Sequence, residues 1–175
     1  MTLWTRIARP FACGFGLGYA PVASGTFGSL PGLLLAWLML WLLPNPWIYT
    51  AVALALAAVA IPICQVGESI WKKKDPGQVV ADEYLLLPLV YIGLPVLEFT
   101  VPVLGVEVPV LLGTGFLIAR FWDIIKPPPA RRWEHLPGGL GVVADDFVAS
   151  LYSLATHWLL WLGAVRVFDL SPAWP

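Results

Sequence analysis

The sequence predicts an all-α fold: one domain over residues 1–175, built as a polytopic membrane helical bundle of about five transmembrane or re-entrant helices. Three observations carry that expectation. Hydrophobic residues make up 59% of the chain and charged residues only 12%, with a mean hydropathy of +0.79, a balance more apolar than that of ordinary soluble domains. Two neighbouring stretches, Phe27 to Leu43 and Trp47 to Cys64, carry no charge at all and approach or match the thickness of a bilayer core. The chain also holds ten tryptophans, many near the ends of apolar runs, where an amphipathic ring suits the headgroup region.

The elements follow in order. Arg6 and Arg9 precede a glycine-rich stretch that lacks the compact apolar segment of a cleaved leader, so the mature chain is expected to start near Met1. The two uncharged runs, joined by Pro44-Asn45-Pro46, read as a transmembrane hairpin. Tyr84 to Leu97 is apolar but broken by Pro88 and Pro95 and followed by Glu98, which predicts a third span that is kinked or partly re-entrant. A fourth helix is expected from Val108 through Ala119, carrying Arg120, Phe121, Trp122 and Asp123 into the interface before Pro127-Pro128-Pro129 stops it. The fifth runs from Phe147 to Val165, with Asp145 and Asp146 in its first turn.

Alternating spans place the N-terminal segment, the 65–83 loop and the 124–144 loop on one side. Of the ten basic residues, all but Arg166 fall there: Arg6, Arg9, Lys72, Lys73, Lys74, Arg120, Lys126, Arg131 and Arg132. The positive-inside rule makes that side cytoplasmic. Cys13 and Cys64 have no metal-site or disulfide spacing and are expected as buried thiols. A net charge of -1 gives no sign of nucleic-acid binding, and no internal repeat or second domain is visible.

Charges near a membrane are costly unless solvated or paired, which draws attention to three acidic clusters at one expected depth. Asp82-Glu83 opens the third span, Asp123 closes the fourth and Asp145-Asp146 opens the fifth. For one pair alone, attraction to the helix dipole is an equal explanation; three clusters on one face favour a shared site. Adjacent helical residues point about 100° apart, so each pair can aim one carboxylate at the site and the other at its support. Such an oxygen set suits a hard cation such as Mg²⁺. Arg120, Asp123 and Lys126 recur every third residue on one arc, positioned either to hold a phosphate beside a metal or to snorkel to headgroups. The glycines of Ser24-Gly25-Thr26-Phe27-Gly28-Ser29 and Pro137-Gly138-Gly139 could bring backbone N–H groups to an anion, although a membrane-entry turn requires the same residues. Lys72-Lys73-Lys74 and Arg131-Arg132 read as topology determinants that also attract anionic lipid. His157 is expected as a hydrogen-bonded packing residue, and Glu98 as an interfacial residue at the outer leaflet.

Four segments, SGTFGSL, ADEY, ARFWDIIKPPPARRW and GGLGVVADDFVAS, lie in order between about Gly14 and Ser150. Together they make the chain resemble the phosphatidylglycerophosphatase A family. The resemblance implies a Mg²⁺-dependent phosphomonoesterase of the bacterial inner membrane that converts phosphatidylglycerol phosphate to phosphatidylglycerol, its active site facing the cytoplasm. It carries catalytic and metal-binding roles onto Asp82, Glu83, Asp123, Asp145 and Asp146, with Lys126 as a further catalytic residue. Thr26, Gly28, Arg120, Gly138 and Gly139 become the candidate substrate-binding set. The chain departs from the family pattern at Ser24, Leu86, Pro137 and Ser150, and none of these changes removes a carboxylate. The DG-x₂-AR motif of alcohol phosphatidyltransferases is absent, as are the signatures of histidine-type lipid phosphatases. The alternative from another class is a small membrane transporter or lipid-binding protein, against which stands the gathering of acids at one face rather than mid-span.

Overall fold

The computed structural model describes residues 3–103, 105–133 and 135–170. It opens on α1 (Leu3–Ala12), whose Leu3, Trp4, Ile7 and Phe11 are exposed while Ala8 and Ala12 are buried. An amphipathic helix of this kind suits the plane of a membrane interface. Its last carbonyls are taken up by the chain's own interior: Val80 N–H donates to Ala12 O at 2.9 Å and Tyr84 Oη to Phe11 O at 3.0 Å.

After a 3₁₀ turn over Gly14–Tyr19 come α2 (Ser24–Leu42) and α3 (Pro46–Trp71). Their junction is built as the sequence predicts. Pro46 occupies the first turn of α3, and the Asn45 side chain caps it, accepting from Trp47 N at 2.9 Å and Ile48 N at 3.2 Å. Buried Ala53, Ala57, Ala60 and Cys64 line one stripe of α3, small residues that let neighbouring backbones approach where lipid offers no hydrophobic drive.

The segment expected as a third span is not a continuous helix. A short α4 (Ala81–Leu86) runs into a 3₁₀ turn (Leu87–Tyr91), and every residue from Tyr84 to Tyr91 is buried. Pro88 prevents a regular ladder, and irregular backbone at this depth survives only if neighbours satisfy its polar groups. They do: Tyr49 Oη donates to Pro88 O at 2.8 Å, Trp158 Nε1 donates to Ile92 O at 3.0 Å, and His157 Nδ1 lies 3.3 Å from Val90 O. The expected packing role of His157 is thus visible in its contacts.

Residues expected to begin the fourth helix instead complete a small antiparallel hairpin, β1 (Thr100–Val103) with β2 (Val106–Pro109), in which Thr100 faces Pro109 and Val103 faces Val106. Gly105, at φ +83°, makes the turn. The helix α5 (Val110–Ile125) therefore starts later and extends further than its sequence pattern suggested, with Pro109 at its cap. A single turn, α6 (Ala130–Trp133), precedes α7 (Gly139–Phe168). Among the described residues three helices, α2, α3 and α7, are long and apolar enough to cross a membrane. The mostly helical bundle stands, with one small hairpin, whereas the segments expected as third and fourth spans form a short helix with a 3₁₀ turn and a 16-residue helix. Both cysteines are buried free thiols.

Candidate functional site

Each acidic cluster stands at the same end of the bundle, because α4 begins and α5 ends there, while Asp145 and Asp146, expected in the first turn of the last helix, lie in the second turn of α7, which starts earlier, at Gly139. Asp82, Asp145 and Asp146 are buried, at 6%, 2% and 6% exposure. Two cations thread between the acids. Arg120 Nη1 lies 3.1 Å from Glu83 Oε2, and its Nη2 lies 2.9 Å from Asp123 Oδ2. Lys126 Nζ stands 2.5 Å from Asp145 Oδ2, 3.4 Å from Asp146 Oδ1 and 3.5 Å from Asp123 Oδ1. Four carboxyl groups from three segments thus share two bases, and the fifth, Asp82, is buried at the same end without an ion pair among the described residues.

Lys126 reaches this position because it ends α5 in the left-handed conformation, φ +42°. A non-glycine residue in that region is strained by about 1–3 kcal/mol. Burial works against its charge, but Asp146, Asp123 and Asp145 outweigh that effect and raise the ammonium above its ordinary range.

Ser29, on the second turn of α2, joins the cluster from the other side. Its hydroxyl is 2.7 Å from Gly25 O and 2.9 Å from Glu83 Oε2, and it accepts from Arg120 Nη1 at 3.1 Å. A Cβ on Gly25 would run into Glu83 Oε1 and Arg120 Nη2, so the bare backbone of this residue forms one wall. A small cavity of about 20 Å³ is lined by Ser29, Glu83, Arg120, Asp123, Asp146 and Ser150, among others. It admits about one water-sized group.

The candidate glycines do other work. Gly28 lets α2 close onto Val80, while Gly138 and Gly139 bring the start of α7 against Gln65 and Ile61 of α3. The Gly139 N–H is already used, donating to Gln65 Oε1 at 2.8 Å. Thr26 is half-buried on the first turn of α2. Ser29 and Gln65 escaped the sequence reading; the only available signal was a polar side chain within or beside an apolar helix.

The donor chemistry fits a hard divalent cation. All candidate ligand atoms are carboxylate oxygens, the acids outnumber the bases around them, and Asp82 Oδ1 and Asp145 Oδ1 are buried with no hydrogen-bond partner among the described residues. Such orphaned oxygens are costly unless something positive meets them. Among the described residues no three acidic, histidine or cysteine groups gather closely enough to hold one ion. Mg²⁺ commonly takes one or two carboxylates and completes its shell with waters and substrate phosphate.

Fold and site define a polytopic helical membrane protein with a polyacidic centre at one end of its bundle. The family model described as Phosphatidylglycerophosphatase A matches residues 11–161, and the chain belongs to that family of phosphatases. It is 30% identical over 157 residues to the phosphatidylglycerophosphatase A of Escherichia coli K12, covering 85% of this chain and 84% of that protein. The Haemophilus influenzae protein of the same name is 31% identical over 157 residues, covering 85% and 88%. A Bacteroides thetaiotaomicron protein that bears the provisional name phosphatidylinositol-3-phosphatase is 33% identical over 149 residues, covering 80% and 84%. No solved structure is significantly similar.

Proposed function

We propose that this protein removes the terminal phosphate of phosphatidylglycerol phosphate, using Mg²⁺, at the cytoplasmic face of the bacterial inner membrane. The observation that carries the reading is the convergence of Glu83, Asp123, Asp145 and Asp146 on Arg120 and Lys126, with buried Asp82 beside Glu83, in a chain of this family. The basic residues Lys72, Lys73, Lys74, Arg131 and Arg132 flank the same end, which supports a cytoplasmic orientation.

In this mechanism Asp82 and Asp145, whose Oδ1 atoms lack partners among the described residues, would hold the metal, with waters and substrate phosphate completing its shell, and Asp146 would stand beside them as a base or a carboxylate nucleophile. The bound Mg²⁺ would supply Lewis-acid stabilisation of the phosphate oxygens. Lys126 and Arg120 exchange part of their carboxylate pairing for phosphate oxygens and neutralise the charge that grows as the ester bond lengthens. Glu83, Asp123 and Ser29 keep the guanidinium in place. Two routes suit this residue set: attack on phosphorus by water, its proton passing to a carboxylate, or attack by a carboxylate followed by hydrolysis of the acyl phosphate. In both, the bond from phosphorus to the glycerol oxygen breaks and that oxygen leaves with a proton.

The test is phosphate release by purified protein from phosphatidylglycerol phosphate, with Mg²⁺, with EDTA, and with Asp146→Asn. Release that requires both metal and Asp146 is expected; no release from folded wild type would overturn the reading. Phosphatidylinositol 3-phosphate belongs in the same assay because of the Bacteroides relative. Faster turnover of that lipid would overturn the substrate while leaving a lipid phosphatase in place.

A further inference from the structure

A second polar cavity opens on the surface, distinct from the acidic centre. It has a volume of about 390 Å³ and runs between the C-terminal end of α3 and the segment before α7. Gln65, Ser69, Lys72, Lys73 and Lys74 line one side, and His135, Leu136, Pro137 and Gly138 the other; none of the five clustered acids reaches it. The three lysines are exposed, and the ion pairs among the described residues all involve Arg120 or Lys126 instead. Among the described residues Glu68 is the one acid on this lining, its Oε1 accepting from Asp75 N–H at 3.1 Å, and the lysines outnumber it three to one. Three exposed ammonium groups, in no ion pair among the described residues, and a histidine therefore surround one concave space.

The opposite rim identifies the kind of anion. Leu136 and Pro137 are exposed beside the lysines, and Trp133 is exposed just before them. A free inorganic anion makes no use of an apolar rim, whereas a lipid presents a charged headgroup and an apolar body together. Lysines at this level of a membrane attract anionic headgroups, and Trp and Leu beside them enter the acyl boundary. We propose that this cleft binds the phosphodiester headgroup of an anionic glycerophospholipid, held by Lys72, Lys73 and Lys74 and backed by His135, at a site separate from the acidic centre.

The test reads binding and not turnover, so it stands apart from the phosphatase reading. Detergent-solubilised protein without divalent metal is titrated with short-chain phosphatidylglycerol or phosphatidylcholine, and bound lipid is counted by native mass spectrometry. Wild type is expected to retain phosphatidylglycerol in preference to phosphatidylcholine. Lys72→Gln/Lys73→Gln/Lys74→Gln should lose on the order of a hundred-fold in affinity, and Lys73→Gln/Lys74→Gln, which spares the residue ending α3, should lose part of it. Equal affinity in wild type and both variants would overturn the proposal. So would loss of binding in Asp146→Asn with the lysine variants unaffected, which would place the lipid in the acidic centre. Complete displacement by millimolar inorganic phosphate would also overturn it, since the cleft would then be a free-anion site.

Discussion

Asp146 lies 6% exposed beside Lys126 and next to the buried Asp145, so replacing it by Asn preserves shape while removing one negative charge from the centre. Activity of Asp146→Asn is expected to fall by about 10²-fold or more, with the thermal unfolding profile in detergent little changed. Two glycines make a sharper contrast. A Cβ at Gly25 meets only the ends of the Glu83 and Arg120 side chains, whereas one at Gly139 meets the Ile61 carbonyl and the Gln65 backbone. Gly25→Ala should therefore displace the ion pair and lower activity about ten-fold, while changing stability by less than about 1 kcal/mol. Gly139→Ala should destabilise the fold by about 1–3 kcal/mol, measured as a lower unfolding temperature, because no flexible side chain can yield. The acids were legible in the sequence because charge stands out in an apolar chain. Ser29 and Gln65 were not, since an uncharged polar residue on a helix looks the same whether it props a site or faces a neighbour.

Among the elements, the broken third pass shows how the bundle tolerates a proline-interrupted segment. Side chains from α3 and α7 meet the carbonyls of Pro88, Val90 and Ile92, and the segment's own Tyr91 Oη donates to Leu112 O at 2.8 Å. Tyr91→Phe removes one buried bond and is expected to cost about 1 kcal/mol, seen as faster hydrogen exchange over residues 87–97. Pro88 and Pro95 announced an interruption in the sequence, but they did not reveal which side chains would repair it. The hairpin was missed for a related reason: a valine-rich run next to a helix reads as its first turn, and only Gly105 hinted at reversal. Helix α1 was hidden too, because Arg6, Arg9 and Pro10 mask an apolar face that becomes visible only when Leu3, Trp4, Ile7 and Phe11 are placed on one helix.

At the scale of the molecule, the bundle is polarised, with acids and most bases at one end and the hairpin at the other. Phe99 packs on Trp161 at a centroid distance of 4.9 Å, and sixteen helical residues, about 24 Å, separate Trp161 from Asp145. Single cysteines introduced at Lys73 and Glu107, in a background with Cys13 and Cys64 replaced, should be labelled by a membrane-impermeant thiol reagent from opposite sides of sealed vesicles. Labelling of both from one side would overturn the topology. If the buried acids hold a divalent ion, Mg²⁺ should raise the unfolding temperature of wild type by mass action. The effect should vanish in Asp82→Asn/Asp145→Asn, which gives a readout independent of turnover.

Helix α1 has a kinetic consequence. Its apolar face is exposed, and its last carbonyls are tied to Val80 and Tyr84, on either side of Asp82-Glu83. With α1 lying in the membrane interface, as its exposed apolar face suits, the depth of the acids would be tethered to that plane, and the enzyme would meet its substrate in two dimensions. Its rate should follow the mole fraction of phosphorylated lipid in the bilayer rather than the amount per litre. Diluting that lipid with neutral lipid in the same vesicle slows turnover, whereas adding further enzyme-bearing vesicles of unchanged composition leaves the rate per enzyme where it was.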